Sequence, residues 1–298
     1  MHPVEALTRL GGTADAETLL RLTSQRRLRS AVRGGLVLRP ARGRYVLPSA
    51  QVGLRAAAAL SGTVSHLSAA AAHGWELGLQ PERPAVIVPR NRKVESFRRA
   101  GVDVRWRDLE PHERHGHVTS PHRTVIDCAR DLPFREALAV ADSALRHRDV
   151  DQDELVRLAL ALPSTGRSEA IRVVEAASPL PANPFESMLR GIGKAVAGLD
   201  LEPQVWIDER GFRGRPDLVD RTRRIVVEAE SFEFHGKRKA LKRDCERYTG
   251  LVVRGWRVVR FAWEHVMYEP DYVQDCLVAL VEGLSGRATL PPTLLYTT

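Results

Sequence analysis

The order of apolar and polar positions divides the chain into stretches with different periods. In the first, "HPVEALTRLGG" is apolar at helical spacing and ends on two glycines. "TADAETLLRL" repeats leucine behind a threonine cap, and "TSQRRLRSAVRGG" opens on Thr23 and Ser24 and closes on Gly34 and Gly35. "LVLRPARGRYVLP" then reads as two short strands around an Arg/Gly/Pro turn. Three helices and a hairpin predict a winged helix-turn-helix over residues 1–48, with the third helix placed to enter a major groove.

Residues 49–176 carry a different pattern. "LRAAAALSGTVSHLSAAAAHGWEL" predicts two Ala-rich helices, "RPAVIVPR" and "VDVRWRDL" two strands, and "TSPHRTVIDCARDLPFREALAVADSALRH" capped helices, so this is a mixed α/β middle unit. Asp127 and Asp142, with Arg123, interrupt apolar helix faces and are expected as buried hydrogen-bonded or ion-paired positions that fix helix packing. His66 and His73 stand seven apart, not at the i, i+4 spacing of zinc-binding helices, and are expected to be structural. Residues 177–184, within the Pro-rich run "AASPLPANP", are the expected linker.

The last unit, residues 185–284, begins behind Asn183 as cap with Pro184 in the first turn. "PQVWID" predicts a strand, "ERGFRG" a hairpin turn, and "RPDLVD" and "IVVEAE" two further strands. A basic helix begins in "GKRKALKRDCERYTGLVVRGW", a fourth strand is "WRVVRFAW", and terminal helices follow before a tail at 285–298. Helix, three strands, helix, strand, helix is an α+β arrangement.

Charge sharpens the first stretch. Of the formal net charge of +8, most sits in residues 1–48, where nine arginines face only Glu5, Asp15 and Glu17. The third helix would present Arg26, Arg27, Arg29 and Arg33, and the wing Arg42 and Arg44, so double-stranded DNA is the expected partner there. The length of 298 residues accommodates two or three domains. Cys128, Cys245 and Cys276 are odd in number and far apart, which predicts a reducing, cytoplasmic location without a disulfide framework. No signal-like start and no membrane-length apolar run is present, so no membrane partner is expected.

Chemistry concentrates in the last unit. Asp217 and Glu228 lie eleven residues apart across a tight turn, and Glu230 shares a strand face with Glu228. If Asp217 faces the same side, two or three carboxylates converge, and a hard cation such as Mg²⁺ or Mn²⁺ would relieve their repulsion. An ion so held can activate water against a phosphodiester. "GKRKALKRDCERY" adds five basic residues between 237 and 243, among them Lys237, Arg238 and Lys239, suited to tracking a nucleic-acid backbone. Asp244 and Arg247 are spaced to pair with each other on that helix.

Two resemblances follow from these residues. "GLVLRPARGRYVLP" resembles the N-terminal domain of AbiEi-type antitoxins, repressors of abortive-infection toxin-antitoxin operons, and "SHLSAAAAHGW" with "TSPHRTVIDCARD" is similar to the middle region of proteins of the same kind. "RPDLVD", "IVVEAESFEFHG" and "RDCERYTGLVVRGWRVVRFAWEHV" resemble the DUF559 family, relatives of the very-short-patch-repair (Vsr) endonucleases with a PD-(D/E)xK, restriction-endonuclease-like αβββαβα fold. That second resemblance implies Asp217 and Glu228 as metal ligands, Glu186 as a supporting acid in the first helix, and His235 as a general acid or base. Glu230 stands where many nucleases of this fold carry lysine, and Lys237 lies too far along to be assumed its substitute. Two functions follow: a metal-dependent DNA endonuclease, or an AbiEi-like repressor or antitoxin whose nuclease-like domain is inactive and serves binding or dimerisation. The second would bring a cognate toxin and a homodimer as partners.

Overall fold

The computed structural model describes residues 1–230 and 238–284, so His235, Lys237 and the tail fall outside the described residues. Each of the first helices is set by a local stop or start. The fold begins with α1 (Pro3–Arg9), β1 (Thr13–Asp15), α2 (Ala16–Leu20) and α3 (Gln25–Arg33), followed by the hairpin β2 (Leu38–Ala41) and β3 (Arg44–Val46). Asp15 caps α2 by accepting the Thr18 N–H, and Ser24 caps α3 by accepting that of Arg27. The strand at Thr13–Asp15, inside a stretch expected to be helical, pairs with β3 to give a three-stranded sheet in the order β1-β3-β2. Ala6, Leu7, Leu19, Leu28 and Ala31 form the core beneath the helices.

The middle of the chain runs α4 (Val52–Leu60), β4 (Thr63–Val64), α5 (His66–Ala72), β5 (Ala85–Val88), α6 (Ser96–Arg99), β6 (Asp103–Trp106), β7 (Arg114–His115) and β8 (Val118–Thr119). These strands make a five-stranded sheet in the order β6-β5-β4-β8-β7. All four residues of β5 are buried, as an unbroken apolar run with neighbours on both faces requires. Four helices follow: α7 (Pro121–Asp131), α8 (Phe134–His147), α9 (Gln152–Leu160) and α10 (Arg167–Ala176). Their alanine-rich faces, including Ala129, Ala137, Ala141 and Ala144, close over one core.

The last part comprises α11 (Pro184–Gly193), β9 (Glu202–Pro203), β10 (Ile207–Glu209), β11 (Phe212–Gly214), β12 (Leu218–Asp220), β13 (Ile225–Glu230), α12 (Arg238–Val252), β14 (Arg257–Ala262), α13 (Trp263–Tyr268) and α14 (Pro270–Leu284). The expected strand "PQVWID" is divided, because Gln204 adopts a left-handed φ of 56° between β9 and β10. "ERGFRG" is more than a turn: only Arg210 and Gly211 turn, and Phe212–Gly214 pairs back on β10 as a separate two-stranded sheet. The main sheet has the order β14-β13-β12-β9, with β13 and β14 parallel and their crossover made through α12.

The middle and last parts are tightly joined. Helix α11 lies on α8, where a Cβ at Gly191 would come within 2.8 Å of the Arg135 Cβ. The Arg190 guanidinium meets both carboxylate oxygens of Asp142 at 2.8 Å, fully buried, and donates to the Ala176 carbonyl at 2.7 Å. Between the helices, the Ser178 N–H donates to Asp142 and Arg146 donates to the Pro181 carbonyl. The architecture is a mixed α+β assembly of several small sheets. No helix among the described residues is long and apolar enough to cross a membrane.

Candidate functional site

The strand register brings the carboxylates together. Leu218 of β12 stands opposite Val227 of β13, so the preceding residue, Asp217, falls opposite Glu228. Asp217 therefore sits one residue outside the strand in which it was expected, yet on the expected partner. Its Oδ2 accepts the Ala229 N–H at 2.9 Å, and its carboxyl and that of Glu228 are hydrogen-bonded to each other. Glu228 is buried, and burial first, then the charge of Asp217, push its carboxyl up to about 8. Burial raises Asp217 as well. Burial and proximity together disfavour a full negative charge on both carboxyls.

Glu186 reaches this pair through a residue that the sequence pattern did not mark. Its carboxylate accepts the Ala182 N–H at 2.8 Å and the Asn183 side-chain amide at 2.9 Å, which closes the start of α11. The Gln204 amide donates to the Glu186 Oε2 at 2.8 Å and to the Asp217 Oδ1 at 3.4 Å, and the Gln204 backbone N–H donates to the Asp217 carbonyl at 2.8 Å. The Arg215 Nε donates to the Gln204 Oε1 at 2.7 Å. The strained φ of Gln204 is thus what aims one side chain at two acids. Burial first, then Asp217, raise the Glu186 carboxyl.

On the other side, Glu228 and Glu230 are linked through α12 and β14. The Arg247 Nη1 donates to the Glu228 Oε1 at 2.7 Å, and its Nη2 donates to the Tyr248 hydroxyl at 2.7 Å. That hydroxyl in turn donates to Glu230, which also receives the Arg260 Nε at 2.8 Å. The Arg247 and Arg260 guanidiniums stack on the Tyr248 ring, 4.6 and 4.2 Å from its centroid. Arg247 lies 3.8 Å from Asp244, the partner expected from helical spacing, so its closer partner is Glu228. Gln204, Arg247, Tyr248 and Arg260 were missed because three of them come from elements distant in sequence. Arg260, the inner of two arginines in the otherwise apolar "WRVVRFAW" and opposite Glu228 in the parallel register, was the available signal.

A hard divalent cation suits this donor set: Asp217 and Glu228 are oxygen donors set opposite each other, whose mutual repulsion a cation would relieve. Mg²⁺ is commonly held by one or two carboxylates with waters completing its shell. Glu186 stands behind Gln204 and Glu230 behind Tyr248. Among the described residues no group of three or more His, Cys, Asp or Glu side chains is placed to hold a metal ion, so the carboxyl donors number two.

In the N-terminal part, Arg26, Arg27, Arg29 and Arg33 are exposed on α3 and Arg42 is exposed in the β2–β3 turn. None forms an ion pair with a described acidic residue, and Arg27 donates only to the Met1 carbonyl at 3.5 Å. Arg44 is half-buried and lines a cavity against the middle sheet with His117. Arg238 and Lys239 open α12, whose backbone leads to Arg247.

A second acidic cluster lies in the middle part. Asp127 accepts from the Arg107 Nη1 and the Arg123 Nε, both at 2.8 Å, and Asp131 accepts from the Arg107 Nη2 at 2.7 Å and meets the His66 Nε2 at 2.9 Å. His73 meets the Thr119 carbonyl at 2.9 Å. Burial alone would raise Asp131, but the His66 hydrogen bond and the Arg107 charge hold it down at about 2.

No family model matches the chain. It is 28% identical over 159 residues to "Uncharacterized protein MT2308" and to "Uncharacterized protein Rv2248", both of Mycobacterium tuberculosis, an alignment covering 51% of this chain and 57% of each relative. The chain thus spans little more than half the length of the curated relatives it matches. A search of solved structures returns the crystal structure of RV2827C protein from Mycobacterium tuberculosis, at a TM-score of 0.35 and 14% identity, over 63% of this chain and 78% of that one.

Proposed function

We propose that the chain is a DNA-binding protein whose C-terminal unit is a PD-(D/E)xK-type, Mg²⁺- or Mn²⁺-dependent endonuclease acting on phosphodiesters of double-stranded DNA. The observation that carries this reading is the strand register that sets half-buried Asp217 opposite buried Glu228. A purely structural pair would have a cation for each charge, as Asp127 and Asp131 do, whereas here one guanidinium, that of Arg247, serves both carboxyls. Asp217 and Glu228 would hold the ion, which when bound polarises the phosphoryl oxygen and lowers the pKa of a bound water. Gln204 orients Asp217, with Glu186 fixing Gln204 from behind. Arg247 and Arg260 supply the cationic charge that lysine gives in many nucleases of this fold, and either guanidinium can turn to a phosphate oxygen. The three N-terminal helices with the β2–β3 hairpin support a winged helix-turn-helix reading, in which α3 carries Arg26, Arg27, Arg29 and Arg33 to the groove and the hairpin carries Arg42 to the backbone.

One observation favours the second reading, an AbiEi-like repressor or antitoxin with an inactive nuclease fold: Arg247 already neutralises Glu228, and Tyr248 and Arg260 hold Glu230. Plasmid nicking with Mg²⁺ or Mn²⁺ separates the two. Cutting that falls about a hundredfold or more in Asp217→Ala supports the nuclease. Operator-type binding with no cutting on any DNA tested supports the repressor. A readout independent of turnover is thermal unfolding: the nuclease reading expects Mn²⁺ to raise the unfolding temperature of the wild type and to leave Glu228→Gln unmoved. Replacing Arg26 and Arg29 by alanine is expected to make the salt dependence of DNA binding shallower, by about 0.9 in slope for each phosphate that an arginine had neutralised.

A further inference from the structure

Next to the carboxylate site the surface carries an aromatic ring that core packing does not use. Trp75 and Trp256 are buried, and Trp106 donates its indole N–H to the Arg92 carbonyl at 2.9 Å. Trp206 is 50% exposed, and its indole N–H meets no described residue. A single exposed apolar side chain is ordinary on a protein surface. The setting of this one is not.

The β10–β11 register pairs Ile207 with Gly214 and Asp208 with Arg213, so the preceding Trp206 falls opposite Arg215. Alternation then puts Trp206 and Arg215 on one face of the hairpin and Asp208 with Arg213 on the other side of the pleat, while Ile207 and Phe212 enter the core with Val219 and Trp256. The hairpin end twists enough to bring the Arg213 guanidinium over the indole, 4.9 Å from its centroid, with Asp208 3.9 Å from the Arg213 Nε. Arg215 reaches the other way. Its Nε donates to the Gln204 Oε1 at 2.7 Å, and the Gln204 amide donates to Glu186 and Asp217. Arg221 closes the edge, donating from Nη2 to the Trp206 carbonyl at 3.1 Å. Trp206, Arg213, Arg215 and Arg221 are all exposed, so a continuous basic and aromatic surface leads from the carboxylates to the indole.

Cations interleaved with an aromatic ring suit a nucleic-acid strand whose bases are unpaired, because the cations follow the phosphates and the ring stacks a base. Guanidinium planes stack on bases as well, so Arg213 can cover the far side of a base laid on the indole. Within a duplex each base face is already taken by its neighbours. We propose that Trp206 stacks a base of a single-stranded DNA segment that leads into the Asp217–Glu228 site, with Arg213 and Arg215 beside it. The DNA taken by this site is then a duplex with an adjoining single-stranded segment. This rests on the reading of the C-terminal unit as one that acts on DNA, and it names the form of DNA.

The test is fluorescence anisotropy of the full chain in EDTA, so that binding is read without cutting. Two labelled strands of about twelve nucleotides are compared, one of thymidines and one abasic throughout, with equal numbers of phosphates. The wild type is expected to bind the thymidine strand about tenfold or more tightly. That preference is expected to vanish in Trp206→Ala and in Trp206→Leu, which keeps apolar bulk but offers no ring, and to be largely retained in Trp206→Phe. It is expected to persist when Arg26 and Arg29 are both replaced by alanine, since those side chains would contribute phosphate contacts to both strands alike. Equal affinity of the wild type for the two strands overturns the proposal, as does a preference that Trp206→Leu retains. Circular dichroism of each variant separates a lost preference from unfolding. The nuclease reading fails separately: a Trp206-dependent preference without any cutting supports the stacking site and overturns the nuclease, whereas Asp217-dependent cutting without the preference does the reverse.

Discussion

Two buried groups of carboxylates lie in this protein, and they are solved in opposite ways. Asp127 and Asp131 are met by Arg107, Arg123 and His66, so each negative charge has a cation in contact, and Asp131 is held at about 2. Asp217 and Glu228 have one guanidinium between them, from Arg247, and Glu228 is pushed to about 8. The first arrangement uses its charges to hold α7 to the sheet. The second sets two carboxyls against one guanidinium, so a raised proton affinity takes the place of a second cation, and perturbed groups of that kind are common at binding and catalytic sites.

The largest expected effect tests the first cluster. Asp127→Ala removes a fully buried acceptor shared by two guanidiniums, leaving Arg107 with Asp131 and Arg123 with Glu113, and is expected to destabilise the fold by about 3 kcal/mol, measured by chemical denaturation. Glu228→Gln at pH 6 should stay within about 1 kcal/mol of the wild type, because glutamine mimics the protonated acid and still accepts from Arg247. Equal losses in the two variants would erase the distinction.

The pH dependence of stability separates the clusters by sign. Glu228 moves from an ordinary value of 4.5 up to about 8, so between those values the folded state binds the extra proton. Its contribution is full below 4.5 and falls as pH rises through about 8, by up to about 1.4 kcal/mol per unit. Asp131 moves down from 3.8 to about 2, so its contribution is full above 3.8 and is lost as pH falls toward 2. Denaturation midpoints across pH 2–9 are therefore expected to decline at both ends, and Glu228→Gln should flatten only the alkaline side. A small effect is also expected of Tyr248→Phe, which removes the hydroxyl between Arg247 and Glu230 and should cost about 1 kcal/mol. A loss as large as that of Asp127→Ala would mean that Tyr248 is a structural keystone and not a member of an adaptable site.

Much of the site was legible because strand geometry is local. Eleven residues across a tight turn put Asp217 beside Glu228, and a spacing of two put Glu230 on the same side. The cation partners were not legible, since Arg247 and Arg260 reach the site only after a parallel crossover, and helical spacing offered Arg247 a nearer partner in Asp244. Gln204 was hidden for a different reason: "PQVWID" has a strand-like composition, and nothing in it announces a left-handed residue. Asp142 was readable as a buried acid, but its partner Arg190 lies forty-eight positions away, across a Pro-rich segment. Arg44 was expected on an open wing, and only the docking of the N-terminal sheet on α4 turns it toward His117.

The Arg190–Asp142 pair has a consequence for how this protein can be divided or inherited. A cut anywhere between residues 177 and 183 would leave a guanidinium on one fragment and a carboxylate on the other, each stripped of its mate and facing water with an apolar helix surface around it. The C-terminal unit is therefore not a cassette that recombination can pass intact to a new host. A lineage that moves it must carry α8 along or rebuild the face of α11.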